Sequence, residues 1–205
     1  MEPQFRAITQ DEFERLVKEE FGRSKQPPPA VPIARAKAIV EVVDAPNVFP
    51  AEQFIKVIVV PDIPDNPAPE PTMELRQQVF EFLRSRRLIT TRVQVVEPHY
   101  TPISIAVTIV RDLSSRLPRD NVQQKVSQTI QDFLSPFKGG VDGSGWEFGR
   151  SVFRSELYQA IESIPGVDRV QRLLLNGDEI IGELKLALPT SLVKLDELRV
   201  TVGDT

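Results

Sequence analysis

The sequence predicts an α+β protein made of two small modules of mixed strands and helices, the second ending in antiparallel strands. Segments of helical period and of strand period interleave along its 205 residues, without the regular βαβ repeat or phosphate turn of a doubly wound fold. Their order is α-β-β-α-β followed by β-α-β-α-β-β-β, and the break falls at "EPHYT" (97–101). The closing segments "DRVQRLLL", "ELKLAL" and "ELRVTV" are apolar or alternating, with an Asn176-Gly177 turn signal after the first. The modules are therefore assigned to residues 1–97 and 98–205. No repeat of solenoid length emerges.

Each element has a local reason. Thr9 and Glu12 are spaced as a capping box, Phe13, Leu16, Val17 and Phe21 share one helical face, and Gly22 is placed to end the helix. "IARAKAIVEVV" (33–43) and "FIKVIVV" (54–60) are rich in β-branched residues and read as strands. Thr72 opens a helix whose Leu75, Val79, Phe82 and Leu83 form a stripe. Arg84, Arg86 and Arg87 at its last turn complement the helix dipole, which explains the basic run without an anionic ligand. "TRVQVV" is a strand that "EPHY" interrupts. In "ISIAVTIV" the residues Ile103, Ile105, Val107 and Ile109 face one way, with Ser104, Ala106 and Thr108 opposite.

From Pro118, the residues Val122, Val126, Ile130, Phe133 and Leu134 keep a helical period as far as Pro136. A short "SVF" precedes a helix capped by Ser155, with Leu157, Ile161 and Ile164 inward and Pro165-Gly166 as its stop. Two proline runs, "SKQPPPAVP" (24–32) and "VPDIPDNPAPEPT" (60–72), read as stiff surface loops. Spacing between packed elements is preferred for them over recognition.

The composition bounds the function. A net charge of −4 argues against a nucleic-acid scaffold. The absence of cysteine excludes disulfides and thiolate metal sites. The first twenty residues lack the pattern of a secretory signal, and no window has the roughly 18 apolar residues of a membrane span, so a soluble chain is expected.

"SPFKGGVDGSGWEFGR" (135–150) concentrates five of the ten glycines and the single tryptophan. As a nucleotide loop it fails, because Lys138 precedes the glycines and no G-K-[ST] follows. Gly143, Gly145 and Gly149 are spaced one residue too long for a dinucleotide fingerprint, and the loop follows a helix, whose negative end would face a phosphate. Asp142 and Ser144 lack the further ligands of a calcium loop. A structural turn fits better: the glycines permit positive φ, and Trp146 and Phe148 pin the segment by burying aromatic surface. The candidate structural or interface loop is Gly139, Gly140, Asp142, Gly143, Gly145, Trp146, Phe148, Gly149 and Arg150.

His99, the single histidine, has neither the ligands for zinc nor a nucleophile motif to serve, and is expected at a surface or turn. A carboxylate pair assembled in space would leave no trace in sequence, which keeps an enzyme as the third reading.

Several segments together resemble the C-terminal half of the baseplate J-like family, wedge proteins of contractile phage tails and related injection systems. They are "FRAITQDEFERLV" (5–17), "ARAKAI" (34–39), "KVIVVPD" (56–62), "RRLITTRVQVVEPHYTPISIAVTIV" (86–110) and, most distinctive, "FLSPFKGGVDGSGWEFGRSVFRSELYQAIESIPGVDRV" (133–170). The resemblance implies no enzyme activity and no cofactor. It implies a structural wedge around the hub, linked to the sheath, with other wedge subunits, hub and sheath-connecting proteins as partners in a symmetric hetero-oligomer. Neither nucleic acid nor membrane is a partner on this reading, and the chain would assemble in the cytoplasm into the baseplate. Family members are far longer, so a fragment or a reduced version is expected; the loop 22–32 is also longer and richer in proline than the family's turn. The runner-up is a non-catalytic α+β binding module of another assembly.

Titration calorimetry with ATP–magnesium, zinc and calcium is expected to show no saturable binding. A stoichiometric isotherm of micromolar affinity would overturn that expectation.

Overall fold

The computed structural model describes residues 7–24, 31–43, 52–63, 66–179 and 182–204. Most of the first proline run and part of the second lie outside the described residues. The chain divides into two units, Met1–Pro98 and His99–Thr205.

In the first unit, α1 (Gln10–Arg15) opens with the Thr9–Glu12 capping box, both halves of which form. The chain then winds as a π-helix over Leu16–Glu20, closed by the Phe21 N–H on the Leu16 carbonyl, before α2 (Phe21–Ser24). The helical stretch therefore continues past Gly22. β1 (Ile33–Val43) pairs antiparallel with β2 (Glu52–Pro61), and β2 pairs parallel with β3 (Arg92–Val96). A parallel pair needs a crossover, and α3 (Met73–Arg84), capped by Thr72, supplies it.

Phe13, Leu16, Val17 and Phe21 pack with Leu75, Val79, Phe82 and Leu83 over Ala38, Val57, Val59 and Val93. Phe21 meets Phe82 edge to face, with ring centroids 5.4 Å apart. The basic run after α3 has internal work. Arg86 donates to the Phe82 carbonyl at 3.2 Å. Arg87 donates to the carbonyls of Leu88, Ile89 and Thr91.

The second unit is organised about β4 (His99–Arg111). His99 is exposed, as expected, yet it and Tyr100 belong to the strand because they pair with Ser191 and Leu192. β4 lies between β6 (Val167–Leu175), antiparallel to it, and β8 (Ser191–Gly203), parallel to it. The last two long strands thus run in opposite directions but flank β4 instead of each other, and β8 is bonded in parallel. β5 (Val152–Phe153) and β7 (Glu183–Leu184) form a small antiparallel pair.

α4 (Arg119–Phe133) and α5 (Arg154–Glu162) pack against each other and against β8 and β6 respectively. The core holds Ile103, Ile105, Val107 and Ile109 of β4 with Val122, Val126 and Ile130 of α4, Leu157 and Ile161 of α5, and Leu173 and Leu175 of β6. The alternation read from the sequence is thereby the alternation of burial in β4.

Two local expectations need correction. Ser155 is not the cap of α5: the helix starts at Arg154 after Phe153, with no side-chain cap. The backbone N–H of Arg154 bonds instead to the Gly182 carbonyl beside the β5–β7 pair, so main chain does the work of a cap. "ELKLAL" is strand only at Glu183–Leu184, because the partner β5 is two residues long.

Ile105→Ala is expected to destabilise the chain by about 2–5 kcal/mol, whereas Ser104→Ala on the opposite face should stay within about 0.5 kcal/mol. Urea unfolding of both variants checks the pair.

Candidate functional site

The glycine–tryptophan segment stands where α4 hands over to α5. Its first turn folds back on the end of α4: Gly139 N–H bonds to the Ser135 carbonyl at 2.9 Å and Gly140 N–H to the Phe133 carbonyl at 2.8 Å. A Cβ on Gly139 would lie 2.4 Å from both of those oxygens, so the position has no room for a side chain. Gly140, Gly143, Gly145 and Gly149 all take positive φ, between 72° and 102°. At the tip, the Asp142 carboxylate accepts from the Ser144 N–H at 3.1 Å and from its hydroxyl at 2.8 Å. These bonds, the backbone one foremost, hold the Asp142 carboxyl below its ordinary value of 3.8.

The chain returns inward at Gly145, whose N–H reaches the Gly139 carbonyl. Trp146 is 0% exposed. Its backbone N–H bonds to the Ser135 carbonyl at 3.0 Å, and its indole N–H donates to the Arg150 carbonyl at 3.2 Å. Phe133 packs edge to face on the indole, 5.6 Å between centroids. Phe148 is half-buried. Gly149 donates to the Ser191 carbonyl at 2.8 Å, and a Cβ there would sit 2.2 Å from the Pro189 oxygen.

Arg150 points into the fold. Its guanidinium stacks over Trp146 at 5.1 Å and donates from Nη2 to Glu156 Oε1 at 2.6 Å, both side chains 21% exposed. The residues singled out by sequence are thus brought together, and they serve one another. Five further participants, Phe133, Ser135, Glu156, Pro189 and Ser191, carry no signal of this role in the sequence. The longest exposed run is the tip, Val141–Ser144, with Val141 at 70%; Lys138 and Glu147 are exposed as well.

Among the described residues no group of three or more His, Cys, Asp or Glu could hold a metal, and no helix is long and apolar enough to cross a membrane. In the first unit a cavity of about 230 Å³ counts Glu70 and Glu74 in its lining. Both carboxylates are exposed, and the hydroxyl beside them, Thr72, is committed to capping α3.

Comparison with known proteins gives a fold likeness. No family model and no curated protein matches the sequence. Among solved structures, the chain is similar to a chain of the anti-feeding prophage (AFP) baseplate, determined by cryo-EM with six-fold symmetrisation. The TM-score is 0.64 at 17% identity, over 94% of this chain and 38% of that one. The chain spans well under half the length of the protein it matches.

Trp146→Ala is expected to cost about 3–5 kcal/mol, and Gly149→Ala at least about 2 kcal/mol from its left-handed φ and the Pro189 backbone. Arg150→Ala, which strips Glu156 of its partner, should cost about 2 kcal/mol. Thermal melts of the full chain check all three, and a wild-type melt for Gly149→Ala would refute the close-approach argument.

Proposed function

We propose that the chain is a structural, non-catalytic component of the baseplate of a contractile injection particle or phage tail. The observation that carries this reading is the fold likeness to the AFP baseplate chain over 94% of the residues. The distinctive "GGVDGSGWEFGR" segment, with its resemblance to the baseplate J-like family, supports the finer reading of a wedge subunit. As a wedge it packs around the central hub, links to the sheath, and meets other wedge subunits in a symmetric particle assembled in the cytoplasm. Its work is assembly and the passing on of a conformational change, and it needs neither cofactor nor metal.

The glycine loop enters this reading in two parts. Gly139, Gly140, Gly145, Trp146, Phe148, Gly149 and Arg150 form its internal strut. Val141, Asp142, Gly143 and Ser144 form the part that faces solvent and is free to meet a neighbouring subunit.

The test is assembly in cells that produce the particle. Affinity-tagged chain should co-purify with sheath-bearing particles and be located at their baseplate by labelling. Val141→Glu and Asp142→Ala should lower particle yield severalfold, while each isolated chain melts as wild type does. Normal particles from both variants would remove the tip as an interface. Absence of the tagged chain from purified particles would remove the baseplate reading itself.

A further inference from the structure

The charges of α3 are not all partnered. Arg76 reaches Glu97 at 3.4 Å, and Arg84 reaches Glu81 at 3.2 Å along the helix. Glu74, in the first turn of α3, makes no hydrogen bond or ion pair with the described residues. Neither does Glu70, which precedes the Thr72 cap. The helix dipole favours a carboxylate in the first turn, which accounts for Glu74 and leaves Glu70 unexplained.

Both carboxylates line the cavity of about 230 Å³ in the first unit. Its less exposed lining is apolar, Val31, Pro61, Ile63 and Leu75, joined by the half-buried Gln78. The Gln78 amide too has no partner among the described residues. The walls hold their shape without an occupant. Pro61, Pro69 and Pro71 are buried and fixed in φ. The Asn66 side-chain oxygen accepts from the Ala68 N–H at 3.0 Å, and Thr72 accepts from the Leu75 N–H at 3.2 Å. A site already ordered in this way loses little entropy when it is filled.

The volume lies below the roughly 300–1,000 Å³ of small-molecule sites, so it suits a single side chain. Apolar walls call for a hydrocarbon stem, and the carboxylates at the mouth call for a cation. A bare divalent ion fails, because it takes about six or more oxygen ligands. No group of three carboxylates or imidazoles occurs among the described residues to start such a shell. Lysine carries a compact, strongly hydrated head, whereas the arginine guanidinium is weakly hydrated and presents five donors in a planar fork. Two carboxylates and an amide oxygen match the fork.

We propose that this groove binds an arginine side chain carried by another protein. Its methylene stem lies against Pro61, Ile63 and Leu75, its guanidinium is shared by Glu70 and Glu74, and the Gln78 amide oxygen accepts a further N–H. Charge also favours an arginine within a polypeptide over the free amino acid, which would bring a third carboxylate to the other two. The inference stands on the first unit alone and does not depend on the particle to which the chain belongs.

NMR titration of the ¹⁵N-labelled full chain with N-acetyl-arginine-N-methylamide tests it. Saturable shifts of the Ile63, Leu75 and Gln78 amides are expected, with a dissociation constant in the millimolar range. The uncharged citrulline analogue should bind severalfold more weakly, and free arginine more weakly than the capped form. E70Q and E74Q should each weaken the capped arginine about threefold or more. Both positions are exposed, and thermal melts like that of wild type would show that the fold is retained. Glu70 lies outside the helix, so E70Q keeps the test decisive even if E74Q loosens α3. Absence of saturable shifts, equal binding of the citrulline analogue, indifference to E70Q, or a preference for free arginine would each overturn the proposal.

Discussion

The second unit depends on one constraint: β4 is bonded along both edges, and its partner β8 runs parallel to it over its whole length. Parallel strands cannot be joined by a hairpin, so the chain leaving β4 at Arg111 must travel back to the end where His99 pairs with Ser191. α4 makes that return. The glycine segment then reverses the chain at this same end, and α5 and β6 carry it through another circuit before Ser191 starts β8. The hydrogen bond from Gly149 to the Ser191 carbonyl ties the first reversal to the second entry. Arg150, paired with Glu156, fixes the loop to the start of α5.

That geometry accounts for the glycines. A glycine-rich loop is costly to order, which invites the idea that an external ligand must compensate. At Gly139 and Gly149 the cause is internal: carbonyl oxygens stand 2.4 Å and 2.2 Å from where a Cβ would be. The loop is long because it crosses from α4 to the mouth of β8, and it is poor in side chains because backbone approaches backbone there. Only its tip is free of these duties.

Local features of the fold were legible in the sequence, and distant pairings were not. The capping box at Thr9, the stripe of α3 and the alternation of β4 each depend on residues within a few positions of one another, where geometry leaves a periodic trace. Trp146 was legible as an anchor because a large aromatic among five glycines has few other uses. The direction of β8 was not, since alternation reports one-sided burial and carries no information about which way a neighbour runs. Nor were Pro189, Ser191 and Glu156, which reach the loop through the folded chain. Arg150 stood in the candidate loop as structural or interface, and no local pattern points to Glu156 of α5 as its partner.

The π-helical stretch at Leu16–Glu20 has a consequence for how the first unit closes. Eight residues of regular α-helix would carry Phe21 about 80° around the axis from Phe13. A turn closed by i→i+5 bonds absorbs an extra residue and rotates less per residue, which brings Phe21 back into line and onto the Phe82 ring. The widened turn works as a vernier, adjusting the angular phase of a helix whose two ends must address different parts of one core. Shortening it by a residue would leave a more regular helix and a worse-fitting protein.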